Sequence, residues 1–335
     1  MDLLAYGGAA IGILTALLQF QAGQIGVFAV ILFILLSSEF FIPLRLLGSF
    51  FHVAMNGKAA SDKIFTLLDT PIDNPKNTMD LLQNYHMEVE VRQLQFAYNE
   101  EKKAIDNLSL TIKPNQLTVF VGKSGCGKST LAALLMGFYR PQQGKILFNG
   151  QSIDQLERHD FYRKVSLVSH SSYVFKGSLR ENMLMANPQA DEQQIYQVLE
   201  QVNLADFVRQ NGGLDMLLQS RGSNLSGGQI QRLALARALL HDAQMYIFDE
   251  ATSNIDIESE EIILKMIQQL KANKTIVLIS HRLANAVHAE QIYLLDKGRL
   301  LEQGDHAQLL AAEGQYAQMF NQQKSLEQIR EVNHA

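Results

Sequence analysis

Apolar residues follow two different patterns along the chain, and the change falls near Met87. From Leu3 to Ser38 no charged residue occurs. The polar turn Gln19-Phe-Gln-Ala-Gly-Gln24 divides this stretch into the arms LLAYGGAAIGILTALLQF and IGVFAVILFILLSSEFF. Each arm is close to the roughly 20 apolar residues that a helix needs to cross a bilayer. A secretory leader would bring a basic start and a cleavage-type ending, and two arms without either argue against one. The pattern predicts a transmembrane hairpin, with spans over residues 3–20 and 25–42, in preference to a helical hairpin buried in a soluble core. Arg45, Lys58 and Lys63 follow the second arm, which puts that end in the cytoplasm and the Gln19–Gln24 turn outside. Glu39, near the inner end, reads as an interfacial carboxylate. Gly7, Gly8 and Gly12 suit close packing against further helices. Two helices cannot enclose a solute path, so residues 1–56 are expected to be part of a larger membrane domain that other spans complete.

Phe40 to Leu68 stays helix-compatible, with a kink expected at Pro43, and carries the second span into the cytosol. Thr70-Pro-Ile-Asp-Asn-Pro-Lys-Asn77 breaks the pattern, and residues 57–86 read as a linker. Beyond it, VEVRQLQF and LSLTI alternate as antiparallel strands do. The continuous apolar runs LTVFV, SLVS, MYIF and TIVLIS suit buried parallel strands. Ile262, Ile263, Met266, Ile267 and Leu270 share one helical face. Residues 87–325 are therefore expected to form an α/β domain, with a parallel core sheet and an antiparallel edge. A polar tail over 326–335 closes the chain.

Chemistry enters with Gly122 to Thr130, GKSGCGKST, which fits G-x-x-x-x-G-K-[ST]. A polyphosphate needs inward-facing backbone N–H groups, and Gly122, Gly125 and Gly127 allow the loop, with Lys123, Ser124 and Cys126 between them. A helix N-terminus behind the loop adds positive potential. Lys128 would reach the β- and γ-phosphates and Ser129 would ligate Mg²⁺, with Thr130 closing the motif. MYIFDE is an apolar strand ending in two carboxylates. Asp249 is placed to direct Mg²⁺ and Glu250 to orient or deprotonate the attacking water. Leu225-Ser-Gly-Gly-Gln229 opens a helix and offers a second phosphate-facing surface, Ser226 to Gln229. One nucleotide cannot use two surfaces on opposite sides of one subunit, so two subunits are expected to sandwich ATP.

GKSGCGKST, LSGGQ, MYIFDE followed by ATSNID, and LISHRL together resemble the nucleotide-binding domain of ABC transporters, over Met87 to Phe320. The resemblance implies a P-loop NTPase fold with a helical subdomain, Mg²⁺-ATP as ligand, and a second half-transporter as partner. It also assigns roles. Tyr98 in FAY would stack on adenine. Ser226, Gly227, Gly228 and Gln229 would reach the nucleotide bound to the opposite subunit. Asp256 would communicate between the two sites, and His281 would touch the γ-phosphate as the switch histidine. The family usually carries Gln where this chain has His170, and exporters often carry Glu where it has Ser220. Both departures bear on coupling more than on ATP binding. EFFIPLRLLG is similar to the last span of exporter half-transporters linked to cytochrome bd assembly and thiol (cysteine or glutathione) export. Those subunits have six spans, so the chain resembles the C-terminal part of one, in the cytoplasmic membrane with its ATPase domain inside the cell.

Composition adds exclusions. A net charge of −5 without a basic stripe disfavours nucleic acid as a partner. The lone Cys126 excludes an intrachain disulfide. An ABC ATPase of DNA repair or translation would lack the hydrophobic hairpin. A binding-only subunit, weakened at His170, is the other alternative.

Overall fold

The computed structural model describes the backbone of residues 2–70, 86–99, 103–253 and 255–334; the side chains of residues 1–5, 38, 41, 42, 44, 45, 47, 49 and 327–334 lie outside the description. The chain divides into two compact units, Met1–Asp73 and Asn74–Ala335.

The first unit is a pair of helices, α1 (Asp2–Gln21) and α2 (Val27–Leu68), joined by a short turn. Where they meet, Ala16 and Val30 are buried. Their outer faces are apolar: Phe28 is 81% exposed and Phe40 73%. Pro43 lies within α2, which runs unbroken through Leu68. Among the described residues no helix is long and apolar enough to cross a membrane, so the two expected spans are not shown.

The second unit holds two larger sheets. In the first, β1 (Val89–Ala97) pairs antiparallel with β2 (Lys103–Ile112) and with β4 (Gln143–Phe148), and β5 (Gln151–Ser152) closes the order β2-β1-β4-β5. The second sheet has the order β12-β11-β3-β10-β9-β6. Its parallel members are β3 (Leu117–Val121), β6 (Val165–Ser169), β9 (Met245–Asp249), β10 (Thr275–Ile279) and β11 (Gln291–Asp296). β12 (Arg299–Gly304) is the antiparallel edge. Strands β3 and β10 are buried at every residue, as their unbroken apolar runs require when both faces of the sheet are covered.

Helices cover the faces: α3 (Lys128–Leu135), α4 (Arg158–Lys164), α8 (Gly227–His241) and α9 (Ile257–Leu270) among them. A helical part follows β6, with α5 (Leu179–Leu184), α6 (Glu192–Gln201) and α7 (Ala205–Gln210) beside the short ribbon of β7 (Gly177–Ser178) and β8 (Leu217–Leu218). Capping boxes at Ser178/Glu181 and Asp191/Gln194 set the starts of α5 and α6. The expected face of α9 packs inward, with Ile263, Met266 and Ile267 buried. The chain ends on α10 (His306–Ala311) and α11 (Gln315–His334), so the tail expected to be polar continues a helix.

The register decides where the strands end. Phe120, Ile279, Asp249 and Ser169 lie in one row across β3, β10, β9 and β6. Backbone bonds continue past that row, from Ser280 N–H to Phe120 O (3.2 Å), Glu250 N–H to Ile279 O (3.1 Å) and His170 N–H to Asp249 O (2.9 Å). The residues that follow four strands therefore share one edge of the sheet.

The opposite end of β3 is anchored by Glu290, whose carboxylate accepts from Leu117 N–H at 2.8 Å and from Lys271 Nζ at 2.6 Å. Burial pushes its pKa up, but the Lys271 and Leu117 hydrogen bonds outweigh burial and hold it below the ordinary 4.5. A carboxyl lowered in the fold stabilises above its unfolded pKa and loses that contribution as pH falls through the folded value. Glu290→Gln is accordingly expected to unfold more easily than the parent at pH 7, with the gap narrowing below about pH 4, as thermal unfolding at both pH values would show.

Candidate nucleotide site

Gly122 follows β3, and the loop to Gly127 delivers the chain into α3. Gly127 caps that helix at φ 109°, where an added Cβ would lie 2.5 Å from Ala104 O and 3.0 Å from Ile105 Cδ1. Only glycine fits there, for both dihedral and space. Lys123, Ser124 and Gly125 form an exposed rim, while Cys126 and Lys128 are buried behind it. Lys128 Nζ donates to Gly122 O at 2.8 Å and to Lys123 O at 3.1 Å, so its ammonium sits inside the loop. Cys126 Sγ lies 3.6 Å from that ammonium, which makes it part of the loop's lining.

Ser129 Oγ donates to Asp249 Oδ1 at 3.1 Å, across 120 positions of sequence. Burial pushes the Asp249 carboxyl above its ordinary range, partly offset by the Ser129 hydrogen bond, and the Glu250 charge pushes the same way. The charges of His170 and Lys128 act in the opposite sense. A serine hydroxyl beside an electrostatically crowded, half-buried carboxylate is a set of hard oxygen donors that a divalent cation would relieve, so the residues fit Mg²⁺. Glu250, half-buried, adopts the left-handed region at φ 51°, which a non-glycine residue holds only against strain. Glu250 directly follows the end of β9, and its charge acts on Asp249.

Tyr98 OH bonds Thr130 Oγ1 at 3.2 Å, and the ring is 58% exposed. It stands edge-on to Phe96 and Tyr139, with centroids 5.0 and 5.3 Å away. The structure thus brings an open aromatic face to the flank of the phosphate loop. His170 follows β6 next to Asp249. His281 is exposed, and among the described residues its imidazole makes no hydrogen bond.

Ser226 to Gln229 form a separate group. Ser226 caps α8 and shares a capping box with Gln229, at 2.9 and 3.2 Å. Ser226 and Gly227 are exposed, whereas Gly228 is buried where a Cβ would strike Asp256 Oδ2 and Ser259 Oγ. Asp256 in turn caps α9 through Ser259 N–H at 2.8 Å, a bond that holds its carboxyl below the usual range. Among the described residues no hydrogen bond joins this group to Gly122–Thr130. Ser220, the second departure, opens a single helical turn ahead of the group.

Two residues escaped the sequence reading. Gln231 is buried on α8, where its Nε2 donates to His170 O and its Oε1 accepts from Ser172 Oγ at 3.5 Å. The available signal was a glutamine at an inward position of IQRLALARALL. Tyr139 had none beyond being aromatic.

A glycine loop between a buried strand and a helix, with serine and aspartate brought together beneath it, defines a P-loop nucleotide hydrolase. Comparison with known proteins narrows the class. Residues 105–253 match the family model described as "ABC transporter". The whole chain is 71% identical to an uncharacterized ABC transporter ATP-binding protein of Haemophilus influenzae, of which it spans 60%. Over 84% of its length it is 37% identical to an ATP-dependent lipid A-core flippase of Saccharophagus degradans, covering 48% of that protein. A solved structure, a bacterial Atm1-family ABC exporter with ATP bound, superposes with a TM-score of 0.75 at 30% identity, over 96% of this chain and 56% of that one. Residues 105–253 have the ABC ATPase fold of the family they match, and the chain spans about half to three fifths of the length of these relatives.

Gly127→Ala is expected to weaken ATP binding by roughly tenfold or more, because a left-handed alanine alone costs about 1–2 kcal/mol. Titration with a fluorescent ATP analogue would measure it.

Proposed function

We propose that this chain is the ATP-binding and hydrolysing subunit of an ABC exporter, which couples hydrolysis to solute export across the cytoplasmic membrane. The observation that carries the reading is the Ser129–Asp249 contact, which joins the phosphate loop to a strand end bearing a second carboxylate. Lys128, already inside the loop, exchanges carbonyl partners for phosphate oxygens. Tyr98 stacks on the base. Ser129 and Asp249 would hold Mg²⁺, whose charge would offset that of the β- and γ-phosphates. Glu250 orients the water and takes its proton. His281 contacts the γ-phosphate from the end of β10.

The outward-facing Ser226–Gly227 pair supports a composite site, in which a partner half-transporter supplies its own signature helix to this loop. Gly228 packs on the Asp256 cap, so a shift of the signature helix is felt at α9 and in the segment between the two sites. His170 passes nucleotide state toward the membrane domain. Beside it, an apolar groove of about 480 Å³ carries the half-exposed rings of Phe138, Tyr173 and Phe175. His170 stands where the family usually carries Gln, its N–H bonded to Asp249 O, and this departure is the ground for a second reading, a slow regulatory half of a heterodimer.

For the helical unit we propose a membrane setting, with the bilayer as a further partner. The support is the uncharged run Leu3–Ser38 and an outer face of exposed Leu, Ile and Phe that water would not tolerate over such an area. The domain bounds 1–56, 57–86, 87–325 and 326–335 are part of the same proposal. The solute is the open variable. Relatives named lipid A-core flippases favour an amphipathic lipid, and drug or peptide export belongs to the same class. The thiol and cytochrome bd reading rests on EFFIPLRLLG alone and has no support among these relatives.

The reading predicts that Glu250→Gln lowers ATP turnover of the reconstituted dimer by about 10²-fold or more, with binding retained. Parent turnover no faster than the variant's would overturn it. Uptake of labelled cysteine, glutathione and lipid into vesicles would separate the solutes.

A further inference from the structure

The segment that presents His281 is held from an unexpected direction. Gln323, on α11, donates from Nε2 to His281 O at 2.7 Å and accepts from Leu283 N–H at 2.8 Å through Oε1. One carboxamide thus grips the backbone on both sides of Arg282. The grip needs a side chain that donates and accepts at once, as a carboxamide does; Glu would lose the donor and Lys the acceptor.

The grip is only as firm as the helix that carries it, and α11 is firmly rooted. Its first N–H groups, at Gln315 and Tyr316, bond the Glu302 carboxylate of β12 at 2.6 and 3.2 Å. Tyr316 is fully buried and stacks on Phe320. Positions 316, 320 and 323 fall on one helical face, so the packing that buries Tyr316 also aims Gln323 at the loop. From the other side, Arg282 pairs with Glu260 of α9, four residues beyond the Asp256 cap. The backbone around His281 is therefore pinned between the C-terminal helix and α9, while the imidazole itself is left exposed and unbonded among the described residues.

We propose that Gln323 is a positioning residue for the switch histidine, and that α11 works as a strut for the catalytic edge. The inference rests on the role proposed above for His281. Without the clamp, the His281 carbonyl and the Leu283 amide return to water, and the ring loses its fixed origin at the end of β10. A displacement of about 1 Å at such a group costs on the order of 10²-fold in rate. ATP affinity, set by the phosphate loop and Tyr98, is expected to change little.

A double-mutant cycle on the full chain, in the assembly in which it turns over ATP, tests this. Gln323→Met keeps the side chain's bulk and removes both hydrogen bonds. We expect it to lower kcat by about 10- to 100-fold while KM for ATP stays within about twofold. In a His281→Ala background the same change is expected to cost less than about twofold, because the group it positions is gone. Equal losses in the two backgrounds would show that Gln323 merely staples α11, and would overturn the proposal. So would a silent Gln323→Met beside a costly His281→Ala. A silent His281→Ala would instead overturn the assignment of His281, and the positioning role with it. If Gln323→Met does not fold, Gln323→Glu, which keeps the acceptor for Leu283 N–H, runs the same cycle.

Discussion

The rest of the site depends on the hydrogen bond between Ser129 and Asp249. It closes a gap of 120 residues and ties the first turn of α3 to the end of β9. For it to form, β9 must lie near β3 with β10 between them, and all three must end in the same row. The parallel register supplies that alignment, and the fully buried apolar strands supply the register's stability. A slip of one residue in β9 would point the Asp249 side chain to the opposite face of the sheet.

Once that row is set, other features follow from it. His170, Glu250 and the Ser280–His281 segment emerge beside the loop because their strands end together. Glu250 accepts a strained dihedral to turn at that edge. Asp249 is raised in pKa because it is both half-buried and next to a second carboxylate, an arrangement unfavourable alone and suited to a bound cation. Stability has been yielded locally where the chemistry needs charge, and the surrounding sheet supports the cost.

Much of this was legible in the chain. The unbroken runs LTVFV, MYIF and TIVLIS correctly indicated parallel strands, because only a strand covered on both faces can be apolar at every position. The alternating runs correctly indicated the antiparallel sheet. The glycine loop announced itself through residue types that no other backbone shape demands. What stayed hidden depends on distant pairing. Gln231 and Gln323 are ordinary glutamines until the fold puts a carbonyl at the right distance, and nothing local marks the 40 residues between Leu283 and Gln323 as a contact. Tyr98 and His281 drew their roles from family resemblance, since a strand aromatic and an exposed histidine have many uses. The membrane spans were read from hydropathy alone, and the described residues of α1 and α2 do not show them.

On the proposed function, Ser129 and Asp249 form one Mg²⁺-directed nucleotide site. Calorimetric titration of ATP into the parent chain and into Asp249→Asn, with and without Mg²⁺, tests it most directly. Mg²⁺ is expected to alter ATP affinity in the parent, and this dependence to disappear in the variant, while metal-free ATP binding survives. An undiminished Mg²⁺ dependence in Asp249→Asn would contradict it.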